Sequence, residues 1–85
     1  MNLTLMLLEE LKNEVYEVMK QKPDYIREGQ FVFNYIDEKY KVARAIQFID
    51  HVDCFYDDKN ITAFLTRAVE RINGELKEEW INLML

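Results

Sequence analysis

The chain has 85 residues, of which 49% are apolar, with two glycines and one proline, a composition that excludes the polar, aromatic-poor character of disorder. Its single cysteine excludes a disulfide within the chain and is typical of a reducing compartment, so we expect a cytoplasmic protein. A net charge of −5 without a cluster of basic residues argues against direct nucleic-acid binding.

The first predicted element is an amphipathic helix from about Thr4, its expected N-cap, to Gln21. Its apolar stripe has helical spacings of three and four through Leu8, Leu11, Val15 and Val18. Acidic and basic residues lie largely opposite this stripe, and we assign Glu14, among others, to ordinary solvent-exposed surface. Pro23 stops the helix, because a proline forces the residue before it towards an extended conformation. No apolar run reaches the roughly 18–20 residues that a membrane span needs.

A second helix is predicted from about Arg27 to Tyr40, with Phe31, Tyr35 and Ile36 on its apolar face. Gly29 lies in the first turn, where a glycine costs about 1 kcal/mol relative to alanine. We therefore expect a close approach to the backbone at Gly29, by another helix in the favoured interpretation and by a ligand in the alternative.

A short third helix is predicted over residues 42–48, with Ile46 and Ile49 buried. The following segment, residues 50–59, has four acidic residues and one basic residue, so it contributes more than half of the net charge. Its polar composition predicts a loop. We expect its two central aromatic residues, Phe55 and Tyr56, to turn inward.

Asn60 is predicted to cap a fourth helix, which the Asn73-Gly74 pair ends. Residues 75–85 then form a separate helical tail, whose apolar end we expect to meet the core or another chain. The candidate interface residues of this tail are Trp80, Ile81, Leu83, Met84 and Leu85. Together the segments predict one all-α domain over residues 1–85, a compact bundle of four to five short helices.

Two short motifs in the middle of the chain are Arg27-Glu28-Gly29-Gln30-Phe31-Val32-Phe33-Asn34 and Asp53-Cys54-Phe55-Tyr56-Asp57-Asp58. They resemble a pattern of small uncharacterised bacterial and phage proteins, Arg-x-Gly-Gln-x-x-Phe-Asn followed by Asp-Pro-Phe-Tyr-x-Asp. Cys54 stands where that pattern has a proline. The resemblance covers about half of the chain and implies a small helical domain of phage or mobile-element origin. It implies no activity.

We interpret these motifs as two halves of one structural clamp. Arg27 is predicted to pair with an aspartate of the loop, which would hold the loop over the second helix. Other loop aspartates are expected to accept hydrogen bonds from backbone N–H groups. The residues of this predicted clamp or partner contact are Arg27, Gln30, Asn34, Asp50, Asp53, Phe55, Tyr56, Asp57 and Asp58.

The residue types that enzymes use for catalysis are scarce. The chain has no serine, which makes a serine-based triad impossible. A nucleophilic pair of Cys54 with His51 is disfavoured, because the nearby carboxylates would raise the pKa of the thiol. The loop aspartates lack the alternating ligands and the central glycine of a calcium loop. We therefore predict a protein that is not an enzyme and needs no cofactor or metal.

The leading functional hypothesis is a module that binds another protein, does not bind membranes, and self-associates, with a dimer favoured. In a sharper version, the chain is a phage inhibitor that presents the acidic loop 50–58 to a host nucleic-acid-binding protein. The competing hypothesis is a small-ligand or metal-binding domain. Its site would be formed by Arg27, Gln30, Asn34, Asp53, Tyr56 and Asp57.

Overall fold

The computed structural model describes residues 5–84, apart from the side chains of Trp80 and Met84. This part of the chain forms four α-helices and one 3-10 turn, with no strand among the described residues. In chain order they are α1 (Leu8–Met19), α2 (Glu28–Tyr40), α3 (Ala43–Phe48), the 3-10 turn Asp58–Asn60, and α4 (Ile61–Met84). The predicted all-α bundle is confirmed.

One apolar core joins the four helices. Buried residues recur three and four positions apart in α1 and α4, the spacing that keeps one face of a helix inward. The large side chains with no exposed surface are Leu11, Val15, Val32, Ile36, Ile46, Cys54, Phe64 and Leu65. In α2 the buried face is rotated from the predicted one, since Phe31 and Tyr35 are only half-buried. Ile49, which we expected to be buried, is exposed.

The ends of α1 follow from local hydrogen bonds. Its first turn is closed by Glu10, whose carboxylate accepts from the Leu7 N–H at 3.1 Å. The helix ends at Met19, ahead of the turn that leads to Pro23. The predicted N-cap, Thr4, lies outside the described residues.

The predicted helix end at Asn73-Gly74 is wrong, because α4 continues through both residues for 24 residues in all. The Asn73 amide does not cap a helix. It accepts from the Met6 N–H at 2.8 Å and donates to the Met6 carbonyl at 2.9 Å. Leu76, one turn later, packs against the core, and residues 75–79 are mostly strong helix formers.

The last turns of α4 project beyond the body of the protein. After Leu76, every residue whose side chain is described is exposed, up to Leu83. The Cα radius of gyration is 13.7 Å, larger than the roughly 12 Å expected for a chain of this length. Two candidate interface residues, Ile81 and Leu83, are 52% and 68% exposed. The side chains of Trp80 and Met84, and all of Leu85, lie outside the described part.

None of the described helices is both long enough and apolar enough to cross a lipid bilayer.

Candidate functional site

The first turn of α2 is bound directly to the loop that precedes α4. The Gly29 N–H donates to Asp58 Oδ1 at 3.0 Å, and the Cys54 thiol donates to the Gly29 carbonyl at 3.3 Å. Arg27 Nη2 donates to the Phe55 carbonyl at 2.6 Å. We call these five residues the α2–loop junction. It brings together the two sequence motifs, which lie 25 to 29 residues apart.

Gly29 is required at this junction for steric reasons. A Cβ atom added to it would overlap with the Cys54 carbonyl oxygen and would lie 2.7 Å from Asp58 Oδ1. Cys54 is fully buried, so its carbonyl cannot shift without moving the loop, whereas the exposed Asp58 side chain can turn away only by losing its bond to the Gly29 N–H. The expected close approach at Gly29 is therefore confirmed, but the group that approaches is the loop backbone and not another helix.

The predicted ion pair of Arg27 with a loop aspartate is wrong. The guanidinium instead donates to the Phe55 backbone carbonyl. Among the described residues no loop carboxylate lies within ion-pair distance of Arg27, whereas the Phe55 carbonyl lies within reach. The two other predicted residues of this half of the clamp are not part of the α2–loop junction. Gln30 is half-buried and Asn34 is exposed.

The loop is shaped by its own aspartates, as predicted. Asp53 accepts from the N–H groups of Phe55 and Tyr56 at 3.0 and 3.2 Å, and from the Gln47 side chain at 2.9 Å. Asp57 accepts from the Lys59 N–H at 3.0 Å, which starts the 3-10 turn. The aspartate oxygens thus give hydrogen-bond partners to loop N–H groups that have no partner in a helix.

Asn60 does not cap α4 with its side chain, contrary to expectation. Its amide nitrogen donates to the Asp53 carbonyl at 2.9 Å, which ties the end of the loop to its middle. The 3-10 turn that leads into α4 leaves no open N-terminus at this position for the amide to cap.

Asp50, at the start of the loop, is bound to α4 rather than to the junction. Its carboxylate accepts from Arg71 Nε at 2.9 Å and from Arg71 Nη2 at 2.8 Å. These two bonds from the guanidinium lower the pKa of Asp50. Because α4 does not end at Asn73-Gly74, Arg71 lies in the middle of this helix and not in its last turn.

An aromatic cleft of about 280 Å³ opens beside the junction, between α3 and the loop. We call it the aromatic cleft. It is lined by Phe33, Arg44, Gln47, Phe48, Phe55 and Tyr56. Phe55 is half-buried and meets the Phe33 ring edge-on, with 5.4 Å between centroids. Tyr56 is 73% exposed, so the expectation that it turns inward is wrong, because Phe55 already occupies the inner position.

Glu14 is the polar residue whose role was missed. Its carboxylate accepts from the Tyr35 hydroxyl at 2.6 Å, the Tyr40 hydroxyl at 2.8 Å and Lys39 Nζ at 2.9 Å. Burial alone would raise the pKa of Glu14, but these three donors outweigh it and lower the pKa. We call these four residues the Glu14 cluster. Glu14 lies three residues after Leu11, at the margin of the apolar stripe, and this spacing is the sequence signal that could have indicated its role.

Cys54 and His51 are not arranged for nucleophilic chemistry. Cys54 is fully buried, and burial, followed by the charge of Asp53, raises the pKa of its thiol to about 12. His51 is exposed and has a left-handed backbone with φ of 59°. Within residues 5–84, no group of three or more histidine, cysteine or acidic side chains is placed to hold a metal ion.

A second depression, of about 380 Å³, follows the inner side of α4 near the N-terminal segment. We call it the α4 groove. It is lined by Met6, Lys39, Tyr40, Ile72, Glu75, Leu76 and Glu79. It therefore starts beside the Met6–Asn73 hydrogen bonds and ends where α4 begins to project.

No family model, curated protein or solved structure matches this chain. The resemblance of the two motifs to small bacterial and phage proteins therefore stays a prediction.

Proposed function

We propose that this chain is a protein-binding module that contacts its partner through the aromatic cleft. The observation that carries the proposal is the exposure of two aromatic residues, Phe48 and Tyr56, at 70% and 73%, in the lining of one cleft. Aromatic residues and arginine contribute most to binding energy at protein interfaces. Arg44 adds the arginine to the same lining.

The cleft is organised before any partner arrives. Tyr56 packs on Phe55, with 4.7 Å between ring centroids, and its backbone N–H donates to Asp53. Phe48 belongs to α3, which the buried Ile46 anchors in the core. Side chains that are already held in place lose less conformational entropy on binding.

The charge around the cleft indicates what a partner would present. Arg44 is exposed, and its nearest acidic group, Asp37, lies 3.8 Å away, a distance typical of a weak surface pair. A partner with an apolar side chain for the cleft and a neighbouring carboxylate for Arg44 fits this lining. We therefore favour a partner segment that combines an aliphatic or aromatic residue with an acidic one.

The inhibitor hypothesis, in which loop 50–58 faces a basic host surface, draws less support from this geometry. Asp50 is bound to Arg71, and Asp53 and Asp58 accept hydrogen bonds within the chain. A ligand site at the α2–loop junction is also less supported, because the loop backbone fills the space next to Gly29.

We propose further that the module is non-catalytic, cytoplasmic and homodimeric. The buried thiol of Cys54, with its raised pKa, supports the first point. A single cysteine in the chain supports the second. The exposed Ile81 and Leu83 at the projecting end of α4 support the third.

Site-specific photo-crosslinking tests the cleft. A benzoylphenylalanine is installed at position 48 and, as a matched control, at position 25, since Tyr25 is an even more exposed aromatic residue, at 86%, outside the cleft. Irradiation of the native host cells should give a discrete crosslinked band from position 48 and none from position 25. Adding Tyr56→Asp to the position-48 variant should remove that band.

Equal bands from both positions, or a position-48 band that survives Tyr56→Asp, would overturn the aromatic cleft as the partner surface. Circular dichroism of each variant confirms the fold, which the exposed positions 48, 56 and 25 leave intact.

A further inference from the structure

We infer that the α4 groove binds a basic, amphipathic segment of a partner protein, with apolar side chains on the floor of the groove and lysine or arginine side chains at Glu75 and Glu79. Among the described residues, the groove shares no lining residue with the aromatic cleft, so the inference does not rest on the function proposed for that cleft. The groove lining also leaves out Ile81 and Leu83, the residues that support the proposed homodimer.

Glu75 and Glu79 form an acidic edge along the groove. They lie four residues apart on α4, so they share one side of the helix, separated by about 6 Å along its axis. Both are exposed, and among the described residues neither has a basic side chain within ion-pair distance. This edge therefore presents two negative charges to whatever enters the groove.

The lysine in the groove lining does not neutralise this edge. Lys39 Nζ lies 2.9 Å from Glu14 Oε2, and the hydrogen bond to this carboxylate raises the pKa of Lys39. The ammonium group also lies 5.3 Å from the centroid of the Tyr40 ring. Because the charges of Lys39 and Glu14 cancel each other, the groove keeps the negative charge of its two glutamates.

The basic residues of α4 near the groove do not compensate for the glutamates either. Arg71, one turn before Glu75, donates to the Asp50 carboxylate at 2.8 and 2.9 Å, and Glu75 acts on it only as a more distant charge. Lys77 lies two residues after Glu75, which is about 200° around the helix, so it is on the far side. A cation from a partner would supply the charge that the edge lacks.

The floor of the groove supplies an apolar contact. Met6 and Leu76 are half-buried and line the groove above the buried Ile72. The two hydrogen bonds between Met6 and the Asn73 amide hold this wall in place before a partner arrives, which lowers the entropy cost of binding. A methionine also adapts to aliphatic side chains of different shapes.

Charge complementarity decides which occupant fits. A second copy of this chain, with its net charge of −5, would bring further negative charge to an acidic edge. A partner helix with two basic residues one turn apart matches the spacing of Glu75 and Glu79, and aliphatic residues beside them meet the floor. A basic, amphipathic segment is therefore the occupant that satisfies both parts of the groove.

Two synthetic helical peptides test the inference by fluorescence anisotropy with the full chain at low salt. One has two leucines and two lysines on one face, each pair one turn apart, and its matched control has glutamates in place of the lysines. The lysine peptide should bind with a dissociation constant in the micromolar range. The glutamate peptide should bind at least about tenfold more weakly.

Two double variants of equal charge locate the binding. Glu75→Gln with Glu79→Gln should weaken binding of the lysine peptide at least about fivefold. Glu70→Gln with Glu78→Gln removes the same charge from α4 outside the groove and should change binding by less than about twofold. Circular dichroism confirms that the four exposed positions leave the fold intact.

Equal losses from the two double variants would show that the peptide follows the net charge of the protein, which would overturn the inference. The absence of lysine-peptide binding, or a preference for the glutamate peptide, would overturn it as well. If the amide NMR signals of Met6 and Leu76 shift on dilution without peptide, a second copy occupies the groove and the inference is wrong.

The aromatic cleft is judged separately. Phe48→Ala, which truncates an exposed residue of that cleft, should leave binding of the lysine peptide unchanged. A loss as large as that from the Glu75 and Glu79 pair would place the peptide in the aromatic cleft and overturn the groove as its site. The crosslinking at position 48 tests the proposed function whichever result the peptides give.

Discussion

The two ends of α2 are held to the rest of the protein by different means. At its N-terminal end, the Gly29 backbone lies directly against the Cys54 carbonyl, and the Asp58 side chain accepts the Gly29 N–H. At its C-terminal end, two tyrosine hydroxyls and a lysine converge on the Glu14 carboxylate. One end depends on the absence of a side chain, and the other depends on a side-chain charge.

The difference teaches what each end can tolerate. The α2–loop junction depends on close packing at Gly29, so it should be sensitive to a single added carbon there, to the same extent at pH 7 and at pH 5. The Glu14 cluster depends on an ionised carboxylate, so it should tolerate changes in volume but respond to acid. The four predictions below separate these two behaviours, in order of decreasing effect.

The largest expected effect is the protection of Cys54 from thiol reagents. Its thiol is fully buried at the junction, with its pKa raised to about 12, so labelling requires the junction to open. Labelling of the native protein should be about a thousandfold slower than in denaturant, or slower still. The time course of labelling with a chromogenic disulfide measures the rate at which the Cys54 thiol reacts. A native rate within about tenfold of the denatured rate would contradict the tight junction.

Gly29→Ala should lower the free energy of unfolding by about 3 kcal/mol. Its new Cβ would overlap with the Cys54 carbonyl, and the loop would have to move away from α2. Urea unfolding at pH 7 and at pH 5 measures the change, which should be the same at both values. A loss below about 1 kcal/mol would mean that the loop moves away freely.

Glu14→Gln should lower the free energy of unfolding at neutral pH by about 2 kcal/mol, because three donors lose a charged acceptor. The pKa of Glu14 is lowered in the folded state, so its contribution is fully present above the unfolded pKa and is lost as the pH falls through the folded pKa. The difference between wild type and variant should therefore shrink below about pH 4.

The control for this charge effect is Glu17→Gln. Glu17 is exposed and, within the part of the chain that the structure describes, pairs only with Lys20, one turn away on the same helix. This variant should stay close to the wild type in urea unfolding at both pH values. If it shows the same pH dependence as Glu14→Gln, the acid sensitivity does not come from the Glu14 cluster.

Gly74→Ala should have the smallest effect and the opposite sign. No atom of the described residues lies within 4 Å of a Cβ added at Gly74, and the residue is inside α4. Alanine should therefore stabilise the protein by about 0.5–1 kcal/mol. Thermal melting measures it beside Gly29→Ala, the same substitution in a crowded site. A clear destabilisation would indicate that α4 is broken at this glycine after all.

The helices could be predicted from the sequence because their causes are local. The three- and four-residue spacing of Leu11 and Val15 follows from helix geometry alone, and Pro23 acts on its direct neighbour. The continuity of α4 could not be predicted, because the partner of the Asn73 amide, Met6, is 67 residues away. A local pattern predicts a helix end at Asn73-Gly74, and the distant contact of Asn73, together with the packing of Leu76 on the core, changes that outcome.

The features of the candidate site could likewise be predicted from the sequence only where their causes are local. The need for a close approach at Gly29 follows from glycine in a helical turn, and the aspartates of the loop bond nearby N–H groups, as short polar side chains do. The partner of Arg27 was misassigned, since charge alone favours a carboxylate and the structure offers a nearer carbonyl. Glu14 was missed, because its donors lie on another helix.

The hydrogen bonds between Met6 and Asn73 also bear on the order in which the chain folds. They close 67 residues, whereas the α2–loop junction closes 25 to 29, and the entropy cost of closure grows with the length of chain enclosed. We expect α2, α3 and the loop to assemble first, and residues 5–7 to dock on α4 last. The N-terminal segment then stabilises a bundle that has already formed, so removing residues 5–7 should speed unfolding more than it slows folding.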